Sequence, residues 1–172
     1  MIIIFLFSLM LLFNSNNLLI NGNLAYDETK LDFHTFQTTN AYGVVSNTDH
    51  FNFVAVGDWD CIDETEDTVD NIIDKNPELI LALGDLSYDN SAECWLELIE
   101  PIADRTKITI GNHENESSTK LKDFMEFFEL EKQYYSFNYK NIHFLALSTE
   151  VPYGDDSQQY EFAINDLEKC KI

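Results

Sequence analysis

Positively charged side chains are scarce in this 172-residue chain. Ten lysines and arginines stand against 31 aspartates and glutamates, which gives a formal net charge of −21. Binding to nucleic acids or to anionic membrane surfaces depends on basic side chains. The composition therefore argues against both partners. An anionic substrate would need a local source of positive charge, and a bound metal ion is the obvious source.

Proline and glycine are also few, with three and six residues. No internal repeat and no Pro-, Gly- or Ser-rich linker divides the sequence, whose length is that of one domain or most of one. Apolar residues make up 45% of the chain, including 13 Phe and 8 Tyr, which is enough to fill a sizeable core. The composition predicts one globular domain rather than a disordered chain.

The three cysteines allow one internal disulfide and leave one thiol over. Cys61 and Cys94 are the predicted pair, because both follow early strands whose ends should lie side by side. Free buried thiols are the alternative, with Cys170 unpaired in either case. The spacing fits neither a zinc ribbon nor a redox motif.

The N-terminal segment is apolar and carries no charge before Asp27. Its apolar run over residues 1–13 is too short to span a bilayer comfortably and is typical of a secretory signal. We expect a signal peptide over residues 1–25, a polar lead-in over 26–50 and one domain over 51–172. The expected destination is secretion or the endolysosomal route. The alternatives are an uncleaved anchor, the only membrane contact that we expect, and a buried strand or helix.

Apolar runs alternate with helical patterns from residue 51 onward. The order βαβαβαββα predicts an α/β fold with a largely parallel sheet and flanking helices. Strands are predicted over residues 51–56, 79–83, 107–110, 134–139 and 142–147. Helices are predicted by apolar stripes at i, i+3 and i+4 spacing, with Ser117 or Ser118 as one N-cap. These stripes are Val69, Ile72, Ile73; Trp95, Leu98, Ile99, Ile102; Leu121, Phe124, Met125, Phe128; and Tyr160, Ala163, Ile164, Leu167.

Each of the first three predicted strands ends in glycine followed by a potential metal ligand. Asp58, Asp85 and Asn112 occupy these positions at equal intervals along the chain. Because the carboxyl ends of neighbouring parallel strands meet at one edge of a sheet, we expect the three side chains to converge. Two carboxylates and an amide oxygen suit a hard or borderline cation. The alternative is that each aspartate merely caps the helix that follows it.

The blocks around these residues resemble the first three signature blocks of the calcineurin-like metallophosphoesterases. They are Gly57-Asp58-Trp59, Gly84-Asp85-Leu86-Ser87-Tyr88 and Gly111-Asn112-His113-Glu114. Tyr88, three places after the second aspartate, makes the resemblance closer to the purple acid phosphatase branch, and residues 134–150 resemble the hairpin that follows the third block there. The resemblance covers roughly residues 52–167. It implies the first half of a four-layer αββα sandwich.

The resemblance also implies a role for each matching residue. Asp58 would bind a first metal ion, Asp85 would bridge both ions, and Asn112 would bind the second. Tyr88 would bind the first ion as a phenolate, and His113 would orient the substrate or protonate the leaving alcohol. The implied cofactor is a dinuclear centre of iron with iron, zinc or manganese. The implied reaction is hydrolysis of a phosphate monoester by a metal-bound hydroxide.

The sequence departs from the family in its histidines. The other three ligands of the family are histidines in later blocks of the types VxxH and GHxH, and neither block follows Leu147. The histidines present are His34, His50, His113 and His143, of which His143 is expected to be a packed strand residue. We therefore expect the N-terminal part of a phosphoesterase, either an incomplete gene product or a truncated form, that holds at most one weakly bound ion and need not be active alone. The alternatives are a non-catalytic, secreted acidic module that binds one divalent ion weakly, and a metal-free, flavodoxin-like domain.

Overall fold

The computed structural model describes residues 2–6, 9–13 and 51–170. Its strands are β1 (Ile2–Leu6), β2 (Leu9–Phe13), β3 (Phe53–Val56), β4 (Leu79–Ala82), β5 (Thr106–Ile108), β6 (Tyr135–Tyr139) and β7 (Ile142–Ala146). Its helices are α1 (Asp63–Lys75), α2 (Glu93–Ile99), α3 (Asn112–Asn115), α4 (Ser118–Phe127) and α5 (Gln158–Lys169), with a 3₁₀ helix over Glu100–Arg105 after α2. The predicted lead-in, with His34 and His50, lies outside the described residues.

The first sheet is parallel and has the order β3-β4-β5. Every residue of its central strand β4 is buried, as the all-apolar sequence of that strand predicts. Side chains alternate between the faces: Ile80 and Ala82 pack in one apolar cluster, and Leu79 and Leu81 pack in another. The α/β prediction with a parallel sheet is therefore confirmed.

The hairpin of β6 and β7 belongs to a second sheet, of order β2-β1-β7-β6. Phe144 and Ala146 of β7 share an apolar cluster with Leu79 and Leu81, so the two sheets pack face to face. A hairpin has no helical crossover that would return it to the parallel sheet, and it is therefore free to begin a new one. The βα order of the sequence did not predict this second sheet.

Helices cover the outer face of each sheet. The cluster on the outer face of the parallel sheet includes Trp95 of α2 and Phe124 of α4, both fully buried. On the outer face of the second sheet, the Phe162 ring of α5 lies 5.2 Å from that of Tyr134. The layers therefore run helix, sheet, sheet, helix, so both sheets of an αββα sandwich are represented, although the resemblance implied only its first half.

The N-terminal apolar segment forms β1 and β2, which pair with each other, while β1 also runs parallel to β7. The signal peptide over residues 1–25 stays a prediction, and its expected cleavage point near Ala25 is outside the described residues. Among the helices of residues 51–170, none combines the length and the apolarity that crossing a bilayer requires.

All four predicted helices exist, but three apolar residues of the predicted stripes are exposed. These are Ile73, Tyr160 and Ile164. In α5 the face on the sheet contains Phe162 and Asp166, which contact Tyr134 and Ser136, respectively. Tyr160 and Ile164, which helped to predict the helix, lie off this face and are exposed.

The predicted disulfide between Cys61 and Cys94 is present, with a Cα–Cα distance of 6.2 Å. It ties the loop after β3 to the first turn of α2. Cys170, directly after α5, is a free thiol. The expected pairing and the expected leftover thiol are thus both confirmed.

Ser117 is the N-cap of α4, and its side chain accepts a hydrogen bond from the Lys120 amide at 3.5 Å. We expect Ser117→Ala to lower the free energy of unfolding by about 1 kcal/mol, because an amide of the first turn loses its acceptor. Urea unfolding measures this change. Ser118→Ala, at the next and exposed position, is the control; equal losses in both variants would contradict the capping role.

Candidate metal centre

The first two sequence blocks run side by side beyond the ends of β3 and β4. The Asp58 amide donates to the Gly84 carbonyl at 3.3 Å, and the Trp59 amide donates to the Asp85 carbonyl at 2.8 Å. The parallel pairing therefore continues into the loops. This continuation places Asp58 next to Asp85 at the carboxyl edge of the sheet, as the equal spacing predicts.

Both aspartates have a left-handed backbone, with φ of 54° at Asp58 and 48° at Asp85. Gly84, directly before Asp85, has a φ of 82°. Left-handed φ is uncommon outside glycine, although aspartate and asparagine tolerate it better than most residues. Two such residues in adjacent loops indicate local strain, which is frequent at functional sites.

Tyr88 and His113 complete the group around the two carboxylates. The Tyr88 hydroxyl donates to Asp58 Oδ1 at 3.0 Å, and the His113 amide donates to Asp85 Oδ1 at 3.4 Å. The Tyr88 and His113 rings lie 4.0 Å apart. Asn112, the first residue of α3, precedes His113 and is exposed. Four of the five predicted site residues are therefore linked by successive contacts, and the fifth adjoins His113 in the chain.

The site is electrically unfavourable without a cation. Burial raises the pKa of Asp85, opposed by the hydrogen bond from the His113 amide and reinforced by the charges of Asp58 and Glu150. Burial, together with the hydrogen bond to Asp58, raises the pKa of Tyr88 to about 12. Among the described residues, no lysine or arginine forms an ion pair with Asp58 or Asp85.

The donor set therefore fits a hard cation. Carboxylate, phenol and amide oxygens are the atoms that such ions prefer. Among the described residues, no histidine ring nitrogen is hydrogen-bonded to Asp58 or Asp85. Asp60 accepts a hydrogen bond from the Cys61 amide at 2.7 Å, and its charge also acts on Tyr88. The described wall of the site thus offers oxygen donors.

Glu114 has a structural role that the sequence pattern did not reveal. Its side chain is completely buried and accepts hydrogen bonds from four backbone amides, at 2.7 to 3.3 Å. Three of these amides belong to residues 85–87 and the fourth is that of Gly111. The Glu114 carboxylate therefore links residues 85–87 of the second sequence block to Gly111 of the third. Burial raises the pKa of this carboxylate.

Lys120 holds the other end of the same loop. Its side chain is buried, and Nζ donates to the carbonyl of Ser87 and, at 2.7 Å, to that of Asp89. Tyr88 lies between these two carbonyls in sequence. Because buried cations are costly unless they are fully hydrogen-bonded, this lysine fixes the loop tightly. Its signal in the sequence is its position on α4, four residues before the buried Phe124.

Comparisons with known proteins agree with these observations. The family model for calcineurin-like phosphoesterases matches residues 51–168. Among curated proteins, purple acid phosphatase 15 of Arabidopsis thaliana is 29% identical over 154 residues, an alignment of 66% of this chain and 29% of that protein. Purple acid phosphatase 21 of the same plant is 31% identical, with 68% of this chain and 31% of that protein covered.

The chain belongs to the calcineurin-like phosphoesterase family. Within the family it is similar to purple acid phosphatases, as the resemblance of its sequence blocks indicates. It spans about a third of the length of these relatives, between 29% and 34% in the first matches. Membership in this family implies a metal centre.

Proposed function

We propose that this chain contributes to the metal-dependent hydrolysis of phosphate monoesters, as in acid phosphatases. The observation that supports the proposal is the contact of Asp58, Asp85, Tyr88 and His113 at the carboxyl edge of the parallel sheet. In a chain of charge −21, a phosphate ester would be repelled everywhere except at a bound cation.

Each residue has a definite task in this proposal. Asp58 and Tyr88 would hold one cation, Asp85 would contribute a carboxylate to both cations, and Asn112 would offer its amide oxygen to the second. When bound, iron, zinc or manganese would supply Lewis acidity and an activated water. His113 lies beside Tyr88 at the edge of this group, where its ring is placed to orient the phosphate or to protonate the leaving alcohol.

We further propose that the described wall alone holds a single ion weakly. A dinuclear centre needs donors on its opposite side, and the seven family ligands include three histidines for which this sequence has no matching block. The oxygen-only donor set therefore also favours a second function, that of an acidic module that binds one divalent ion without catalysis. Secretion or delivery to the endolysosomal route, through the N-terminal segment, remains part of the proposal.

Replacing Asp85 by asparagine separates these functions. We expect Mn²⁺ to bind the full chain and Asp85→Asn to weaken binding by at least about tenfold, because a ligand is lost with its charge. Calorimetric titration measures binding, and p-nitrophenyl phosphate with iron, zinc or manganese measures hydrolysis. Asp70→Asn is the control, because Asp70 is an exposed residue of α1.

The outcomes are distinct. If Asp85→Asn abolishes hydrolysis and Asp70→Asn retains it, the results support the phosphoesterase function. Binding that depends on Asp85, without hydrolysis above that of Asp85→Asn, supports the non-catalytic module. Equal Mn²⁺ binding by all three proteins would contradict both.

A further inference from the structure

A second group of potential metal ligands lies between β7 and α5. It consists of His143, Asp166 and Cys170, whose ligand atoms all lie within 4.8 Å of one another. Asp166 and Cys170 are four residues apart and so share one side of the C-terminal end of α5. His143 alternates with Phe144, which faces the parallel sheet, and therefore faces α5. The group is thus separated from the candidate metal centre by the second sheet.

Both ring nitrogens of His143 have an oxygen partner. Nδ1 lies 2.8 Å from Asn138 Oδ1, and Nε2 lies 2.6 Å from Asp166 Oδ2. When Nδ1 donates to Asn138, Nε2 presents its lone pair toward Asp166. A second ring proton or a metal ion then joins the two groups.

The surroundings of these side chains resemble the outer shell of a metal site. Asn138 fixes the orientation of the imidazole, and Ser136 Oγ donates to Asp166 Oδ1 at 2.7 Å. Such hydrogen bonds usually accompany metal-binding histidines and carboxylates. The side chains of His143 and Asp166 are only 13% and 15% exposed. The ligands are thus oriented and largely shielded from water.

The donor types indicate which metal would bind. Imidazole, thiolate and carboxylate together are the ligands of Zn²⁺, which binds four of them in a tetrahedron. Tetrahedral geometry requires neighbouring ligand atoms to be roughly 3.2 to 3.7 Å apart. His143 Nε2 and Asp166 Oδ2 would therefore separate by about an ångström, a change that side-chain rotation can supply.

We propose that His143, Asp166 and Cys170 bind Zn²⁺, with water in the fourth position, and that the ion fastens α5 to the second sheet. The site takes no part in the proposed hydrolysis, because it lies outside the group around Asp58 and Asp85. It gives Cys170 a function other than disulfide formation. Because α5 places few large apolar side chains on the sheet, zinc binding would also strengthen the docking of α5.

Cobalt titration of the full chain tests the site, with Asp85→Asn introduced throughout to weaken the candidate metal centre. Co²⁺ bound to a thiolate produces a near-ultraviolet charge-transfer band, which oxygen ligands do not produce. We expect this band to saturate at a single equivalent, to disappear when excess Zn²⁺ is added, and to be absent from Cys170→Ser and His143→Gln. His113→Gln, which removes a histidine elsewhere, should retain it.

Asn138→Ala provides a second variant that keeps all three ligands. We expect it to weaken Co²⁺ binding by about tenfold to a hundredfold, because the imidazole loses the partner that orients it. The proposal is overturned if the band never forms, if it survives in Cys170→Ser or His143→Gln, or if Asn138→Ala binds Co²⁺ as tightly as its parent.

Discussion

Glu114→Ala is expected to lower the free energy of unfolding by at least about 3 kcal/mol. The buried carboxylate accepts from the amides of residues 85–87 and of Gly111, so its removal orphans four donors at once. Each buried donor left without a partner costs about 1 to 3 kcal/mol, and water that enters the space offsets part of the sum. The substitution should also make the position of Asp85 less fixed, because the Asp85 amide is one of the donors to Glu114.

Urea unfolding and Mn²⁺ titration measure the two effects of this change. Glu114→Gln retains one acceptor oxygen and should lose less stability than Glu114→Ala. Glu116→Ala is the matched control, because the Glu116 side chain is 59% exposed and should contribute within about 0.5 kcal/mol. If Glu114→Ala and Glu116→Ala unfolded at the same urea concentration, the Glu114 carboxylate would not stabilise the loops of residues 85–87 and Gly111.

Lys120→Met is expected to lower the free energy of unfolding by about 2 to 3 kcal/mol. Methionine fills much of the same volume but leaves the carbonyls of Ser87 and Asp89 without the donor that they share. Hydrogen bonds to charged groups are worth about 1.5 to 3 kcal/mol each, and removing the desolvated charge returns part of this sum. Since Tyr88 lies between the two carbonyls, Mn²⁺ binding should weaken by about tenfold as well.

Lys122→Met is the control on the same helix. Lys122 is 67% exposed and, within the described part of the chain, forms an ion pair only with the exposed Glu126, so its loss should cost at most about 0.5 kcal/mol. Thermal unfolding and Mn²⁺ titration compare the two variants. A Lys120→Met protein with the stability and the Mn²⁺ affinity of Lys122→Met would show that the lysine does not position the loop.

The strand-end blocks were predictable because regular spacing and sheet geometry together determine where they lie. Asp58, Asp85 and Asn112 each follow a parallel strand, and the edge of a parallel sheet brings such positions together. The left-handed backbone at Asp58 and Asp85 was not predictable in the same way. Glycine before each aspartate suggested a turn at the glycine, whereas at the first block the turn falls on Asp58 itself.

The structural roles of Glu114 and Lys120 were not predicted, because no local sequence pattern distinguishes a buried charged side chain from an exposed one. Glu114 and Glu116 are two residues apart, yet one is buried and the other is exposed. Only the long-range contacts of Glu114 with residues 85–87 decide which of them turns inward. Lys120 left a weak signal, since it is four residues before Phe124 on the buried face of α4.

The fold was predictable up to the hairpin of β6 and β7. The all-apolar sequence of β4 requires cover on both faces, but it does not say whether helices or a second sheet provide that cover. In the structure helices cover one face and the hairpin covers the other. The apolar residues Tyr160 and Ile164 correctly predicted helix α5, but they are exposed in the structure.

The central claim is that the tips of Asp58 and Asp85 meet on one cation. Crystals of the chain grown with Mn²⁺ and measured for anomalous scattering test it most directly. The account predicts an anomalous peak at about 2.0 to 2.4 Å from carboxylate oxygens of both aspartates, with the Tyr88 or Asn112 oxygen beside them. An ion bound only elsewhere, or carboxylates that point away from each other in the presence of saturating Mn²⁺, would contradict it.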